Sequence, residues 1–401
     1  MPRSLLFVAL LLLVSCRTVA PVLPGASLPP GYNLKVAIYP VANAQTIAAR
    51  IQSEFQQQFP QYTVTVTVAD MDQLYEPATL AGWLANGNYD LVEADMLLLE
   101  AVRQNLQQSN KQLPVWLLPP YLGDWLPAAR AASMVGLDIY GVPHYGCGYF
   151  LFTTDPTLNK ITNSTAFFAA LDGVEPKKKY LTAMNVNGGS TTGGIYLNAW
   201  SMRFGNLTGA MNPPYNNPPV IAAMKGITTA CRLNQTGTVS PCLDGTFKNN
   251  VDRQTYINGD ANTFIGFSES LQPIRAAATP QTQFYVSAAP LGAGLASLLY
   301  TDSLLKRVGC SAPDPCAAAA NAFAEYYLKP STYQWLLLGQ DIPGNTLPRY
   351  LIPATNSAWP AGDPYYAQIR AAVGKPQPFP NATFYGVRKQ MQTAIMPQIM
   401  P

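Results

Sequence analysis

The chain has 401 residues, enough for two or three domains or for one domain in two lobes. Hydrophobic residues make up 48% and charged residues 12%, which excludes a solvated, disordered chain. The formal net charge of +3, with no basic block beyond Lys177-Lys178-Lys179, leaves no electrostatic footprint for a nucleic-acid partner, and the one histidine, His144, excludes a multi-histidine metal site.

Chemistry is therefore left to carboxylates, tyrosines and cysteines, with no metal and no cofactor expected. Residues 1–20 read as a signal peptide, with Arg3, an apolar run over 5–14 and small residues after it. That run is too short to span a bilayer and no later one is long enough, so the mature protein is expected to be a soluble monomer, secreted or periplasmic. The residues LVSC at 13–16 also fit a lipoprotein cleavage box with Cys16 lipidated, a reading not favoured here. Sequons at Asn163, Asn206, Asn234 and Asn381 suit a eukaryotic secretory route and a glycoprotein.

After a Pro/Gly-rich stretch, 34–39 reads as a buried strand, 44–58 as a helix with Ile47, Ile51 and Phe55 at helical spacing, and 62–68 as a Thr/Val strand. Residues 90–95 resemble a third strand, with a helix following from Met96. This alternation indicates an α/β lobe on a parallel sheet. Extended segments near 140–146 and 284–290 are where strands would cross between two lobes, and 317–328 and 332–339 read as a late helix pair around Pro330-Ser331. The division expected is 33–143 for the first part of lobe one, 144–284 for lobe two, 285–340 for the return to lobe one, and 341–401 for a C-terminal segment packing on both.

Export brings oxidising conditions. Cys231 and Cys242 bracket a turn-containing loop, and Cys310 and Cys316 bracket Ser-Ala-Pro-Asp-Pro, so two local disulfides are expected. Cys147 is left over, as an intermolecular bridge, an inert buried thiol or a nucleophile.

The early KVAIY strand, the YGVP at 140–143 and the late helix–Pro-Ser–helix resemble type II periplasmic binding proteins. That resemblance implies a two-lobed α/β fold with the active site in the inter-lobe cleft. Residues 140–152 (YGVPHYGCGYFLF) further resemble thiaminase I (thiamine pyridinylase), a family on that same fold, whose hallmark is Tyr-Gly-Ile/Val-Pro followed by Cys-Gly-aromatic-Phe-Leu-Phe. FIGFSESL at 264–271, LYTD at 299–302 and RYLIPAT at 349–355 look similar to it too, so the resemblance spans about 34–355.

It implies a secreted transferase that takes thiamine and a pyridine-like base or a thiol as its partners. On this resemblance Cys147 would be the nucleophile and Glu269, one of seven glutamates, the base that a neutral thiol needs. Asp302, Asp90 and Asp95 are candidates for holding the aminopyrimidine or balancing the thiazolium charge, and Tyr39, Tyr75 and Tyr300 for packing on the rings. His144 reads as a pocket-lining or capping residue. GGSTTGG at 188–194 lacks the lysine of a P-loop and reads as a ligand-facing loop of the second lobe. A second reading of the same chain is a non-catalytic solute-binding protein for thiamine or its pyrimidine.

Overall fold

The computed structural model describes residues 31–235, 240–294, 296–345, 347–373 and 384–401. Residues 1–20, expected to be a signal peptide, with Cys16, and the sequon at Asn381 lie outside them. In chain order the strands are β1 (Tyr32–Ile38), β2 (Tyr62–Val68), β3 (Leu91–Asp95), β4 (Met134–Val135), β5 (Asp138–Ile139), β6 (Gly141–Cys147), β7 (Tyr149–Thr153), β8 (Tyr180–Ala183), β9 (Ala261–Phe267), β10 (Tyr285–Ala288), β11 (Tyr300–Lys306) and β12 (Ile352–Pro353).

They form a six-stranded sheet in the order β12-β6-β11-β3-β1-β2, a four-stranded sheet in the order β10-β7-β9-β8, and the hairpin β4-β5. The two larger sheets are the cores of two α/β lobes. The edge strand β2 alternates buried and exposed residues, as one solvated face requires, whereas β3 in the sheet interior is buried at every position. The helix Ala44–Gln58 buries Ala44, Ile47, Ala48, Ile51 and Phe55, one stripe at helical spacing, against β2.

The first sheet is mixed rather than parallel. β1, β2 and β3 run parallel, but β11 is antiparallel to β3 and β6 antiparallel to β11, because these strands connect to the other lobe. The crossings are short: Gly148 alone separates β6 in the first sheet from β7 in the second. The expected boundaries shift accordingly. β6 keeps 144–147 in the first sheet, and β10 pairs with β7, so the chain returns at β11 rather than at 285. After β12 the C-terminal segment leaves the first sheet. Its helix Pro364–Val373 packs on β10, and Phe384–Ile395 packs on the helix Gly189–Phe204.

The interior of the first lobe is organised by a carboxylate. Glu93, fully buried in β3, accepts from the Tyr39 backbone N–H at 2.9 Å, from Tyr327 Oη at 3.2 Å and from His144 Nδ1 at 2.6 Å. His144 is therefore neither pocket-lining nor capping. It is the extra residue of a bulge in β6, where Asp302 and Ser303 of β11 face Tyr145 and Pro143. The bulge turns its ring into the core between Tyr145 and Tyr327. Burial lowers its pKa against the pull of Glu93, and its Nε2 has no partner, so the neutral ring with its proton on Nδ1 fits this packing.

Cys231–Cys242 and Cys310–Cys316 are both bonded, as expected, and Cys147 is the free thiol among the described residues. No helix among the described residues is long and apolar enough to cross a membrane.

Removing the buried acceptor strands three donors. Glu93→Ala is expected to lower the unfolding free energy by about 3–5 kcal/mol, and Glu93→Gln by less because its amide oxygen still accepts. Urea denaturation followed by fluorescence measures both; an unchanged midpoint for Glu93→Ala would contradict this account of the lobe.

Candidate active site

One cavity of about 1050 Å³ opens between the two sheets. Tyr39, Tyr75, Asp95, Cys147, Glu269, Tyr300 and Asp302 all line it. They converge because the cleft lies at one end of the first sheet. Tyr39 follows the last residue of β1, Asp95 ends β3, Cys147 ends β6, and Tyr300 and Asp302 open the antiparallel β11. In open α/β sheets this is the end at which ligands gather.

Asp90 is the exception. It precedes β3, at the opposite end of that strand, and lies outside the cavity. There it pairs with Arg307 at 2.7 Å, accepts from Tyr32 Oη and caps the Lys35 N–H. Its role is structural, and the expectation that it touches substrate is corrected. A strand of five residues cannot present both flanking aspartates to one cleft.

Cys147 pairs in register with Tyr300, and Asp302 with Asp95, so the thiol and two carboxylates occupy neighbouring strand ends. The flanking glycines serve this crossing more than they serve a ligand. A Cβ on Gly146 would fall 2.5 Å from Leu299 Cδ1, and one on Gly148 would fall 2.9 Å from the Leu298 carbonyl oxygen. Only glycine lets the two crossing segments approach this closely.

The aromatic groups are fixed by hydrogen bonds. Tyr39 Oη meets Tyr75 Oη at 2.8 Å, Tyr75 Oη donates to Asp95 Oδ2 at 3.2 Å, and Tyr300 Oη donates to the Gly194 carbonyl at 2.8 Å. That last bond joins β11 to the 188–194 segment, whose Ser190, Thr191 and Gly194 face the cleft from the first turns of the helix Gly189–Phe204. The second lobe adds groups that the sequence reading did not single out. Tyr149 and Phe267 stack with ring centroids 4.8 Å apart, and Arg253 lies near enough to Glu269 to favour its charged form. Tyr149 was legible as part of the Cys147 motif; Arg253 and Arg388 carry no local signal.

Burial dominates the electrostatics. It raises the Cys147 thiol well above its ordinary value, and the charges of Glu269, Asp302 and Asp95 raise it further. Burial likewise raises Glu269, against its own backbone N–H, Arg253 and Ser268. Asp302 is held well above the usual carboxylate range by burial and then by Asp95, while Asp95 is pushed up to about 7 by burial, with the Leu97 N–H and Tyr75 pulling it back. The cleft thus holds a neutral thiol among carboxyls disposed to keep protons. A cation placed against them would reverse that preference.

No protein-family model and no curated protein sequence matches the chain. Solved structures do. Thiaminase I from Bacillus thiaminolyticus superposes with a TM-score of 0.66 at 20% identity, over 92% of this chain and 100% of that one. Clostridium botulinum thiaminase I in complex with thiamin gives 0.68 at 16% identity, over 92% and 100%. Maltose-bound T. maritima MalE3 gives 0.65 at 14% identity, over 92% and 95%. The chain has the two-lobed α/β fold of type II periplasmic binding proteins, as the sequence reading expected.

A carboxyl whose pKa is higher in the folded chain binds its proton more tightly there than in the unfolded chain. Asp95 therefore contributes stability that is complete below 3.8 and is lost as pH rises through about 7. Asp95→Asn, which cannot ionise, should raise the urea midpoint at about pH 8, with the gain vanishing towards about pH 4. A variant less stable than the parent at the higher pH would contradict the assignment.

Proposed function

We propose that this protein is an exported thiamine-degrading transferase, a thiamine pyridinylase, with Cys147 as nucleophile and Glu269 as base. The observation that carries the reading is the free thiol of Cys147 and the carboxyl of Glu269 in one inter-lobe cavity, beside paired carboxyls and tyrosines. The resemblance of the Cys147 motif and the fold of the two thiaminase I structures support it.

The chemistry follows from the charges. Thiamine brings a cationic thiazolium into a cleft whose acids stand at Asp95, Asp302 and Glu269. Its positive charge lowers the thiol and favours ionised carboxylates, so Glu269 can take the Cys147 proton. The Cys147 sulfur then adds to C6 of the pyrimidine, and the electrons displaced through the ring expel the thiazole from the bridging methylene. A pyridine-like base or a thiol attacks that methylene, the pyrimidine–sulfur bond breaks, and the thiolate is regenerated. One difficult displacement becomes two easier ones. Asp95 and Asp302 are suited to hydrogen-bond the aminopyrimidine, and Tyr39, Tyr75 and Tyr300 to pack against the rings. Export accounts for the two disulfides.

Incubation with thiamine and pyridine should give the base-exchanged product. Cys147→Ser should abolish it while thiamine still binds, and Glu269→Gln should lower turnover by about 10²–10⁴-fold. Product analysis beside calorimetric titration reads both. Thiamine binding without turnover in the parent would instead identify a solute-binding protein, and undiminished turnover in Cys147→Ser would exclude the covalent route.

A further inference from the structure

The two walls of the cavity carry opposite charge. From the first lobe come Asp95 and Asp302; from the second come Arg253 and Arg388, two cations beside the single acid Glu269. Arg388 lies on the C-terminal helix Phe384–Ile395, with its Cγ 3.7 Å from where a Cβ on Gly189 would stand, over the first turn of the helix Gly189–Phe204. Its guanidinium lies 3.5 Å over the Tyr385 ring and donates to the Tyr385 carbonyl at 3.0 Å; the Tyr385 hydroxyl in turn donates to Glu76. Arg253 comes from the helix Val251–Ile257.

Among the described residues neither guanidinium forms an ion pair, whereas Arg349, which also lines the cavity, is held by Asp341. Two half-buried arginines that line one cavity, neither in an ion pair although Arg253 lies within electrostatic reach of Glu269 and Asp252, offer planar donor forks to an anion that enters. The cavity, about 1050 Å³, is at the upper end of ordinary ligand sites, with room beyond two linked rings.

Resting on the reading above, we propose that the second-lobe wall is an anion subsite and that the preferred substrate is a phosphate ester of thiamine rather than the free alcohol. Such a substrate is cationic at its ring and anionic at its tail, which matches the division of the cleft. Asp95 and Asp302 hold the aminopyrimidine and lend their charge to the thiazolium next to it, and the phosphate lies against Arg253 and Arg388. The bond that breaks is unchanged, and the phosphate departs intact on the thiazole half.

The test compares kcat/KM for thiamine monophosphate and thiamine with pyridine as acceptor, in the parent and in Arg253→Gln and Arg388→Gln. The parent should prefer the ester by about tenfold or more, and each variant should lower that ratio by about tenfold. The ratio is internal to each protein, so partial misfolding cancels. Equal values in the parent, or a preference that survives both substitutions, would overturn the subsite while leaving the thiamine reading intact. An arginine-dependent preference for a pyridine carboxylate over pyridine as acceptor, with no preference for the ester, would overturn the assignment of the anion to the substrate. If neither form of thiamine is turned over, the functional reading falls, and calorimetry with inorganic pyrophosphate decides the subsite alone. Binding lost in the double variant upholds it, and no binding to the parent overturns it.

Discussion

A carboxylate buried away from solvent must find donors, and Glu93 finds three on separate segments of the chain: the Tyr39 N–H after β1, His144 in β6 and Tyr327 in the helix Pro315–Tyr327. Much of the cleft's first wall depends on this constraint. It fixes the backbone that carries Tyr39 into the cavity, and it fixes the bulge that brings Tyr145 and Cys147 to the cleft side of β6 while His144 turns inward. The one histidine is thereby committed to structure. The cleft itself is lined by carboxyls, among them Asp95, Asp302 and Glu269.

Those carboxyls act as a group. Asp95 and Asp302 stand opposite each other across two strands, Tyr75 bonds to Asp95, and Glu269 approaches from the second lobe. Their burial and mutual repulsion favour protonated forms and a neutral Cys147 thiol. A thiol kept neutral is protected from adventitious reaction, and the same arrangement of acids favours cationic ligands over neutral ones. The glycines beside Cys147 allow the crossing segments to touch, so the thiol stands where the chain passes from one sheet to the other.

Much of this was legible in the chain. Periodicity placed the helix Ala44–Gln58 and the strand Tyr62–Val68, and cysteine spacing placed both disulfides, because each rests on residues close in sequence. The segments around Cys147 and Glu269 were singled out from neighbouring residues in the same way, and both reach the cavity.

Strand direction, lobe boundaries and the fate of single side chains were decided only by tertiary structure. Nothing local tells β11 to run antiparallel to β3, or β10 to stay in the second sheet. Asp90 and Asp95 look equivalent along the chain, yet a strand between them sends one to Arg307 and the other to the cleft. His144 reads as a pocket residue until its bulge turns it toward Glu93. Arg253 and Arg388 lie 135 positions apart and meet the same cavity only through the packing of helices. Sequence determined which chemical groups and local elements this protein has, because those follow from neighbours along the chain. Which groups share a cavity, and with what charge, depends on contacts between distant segments, and only the fold supplies them.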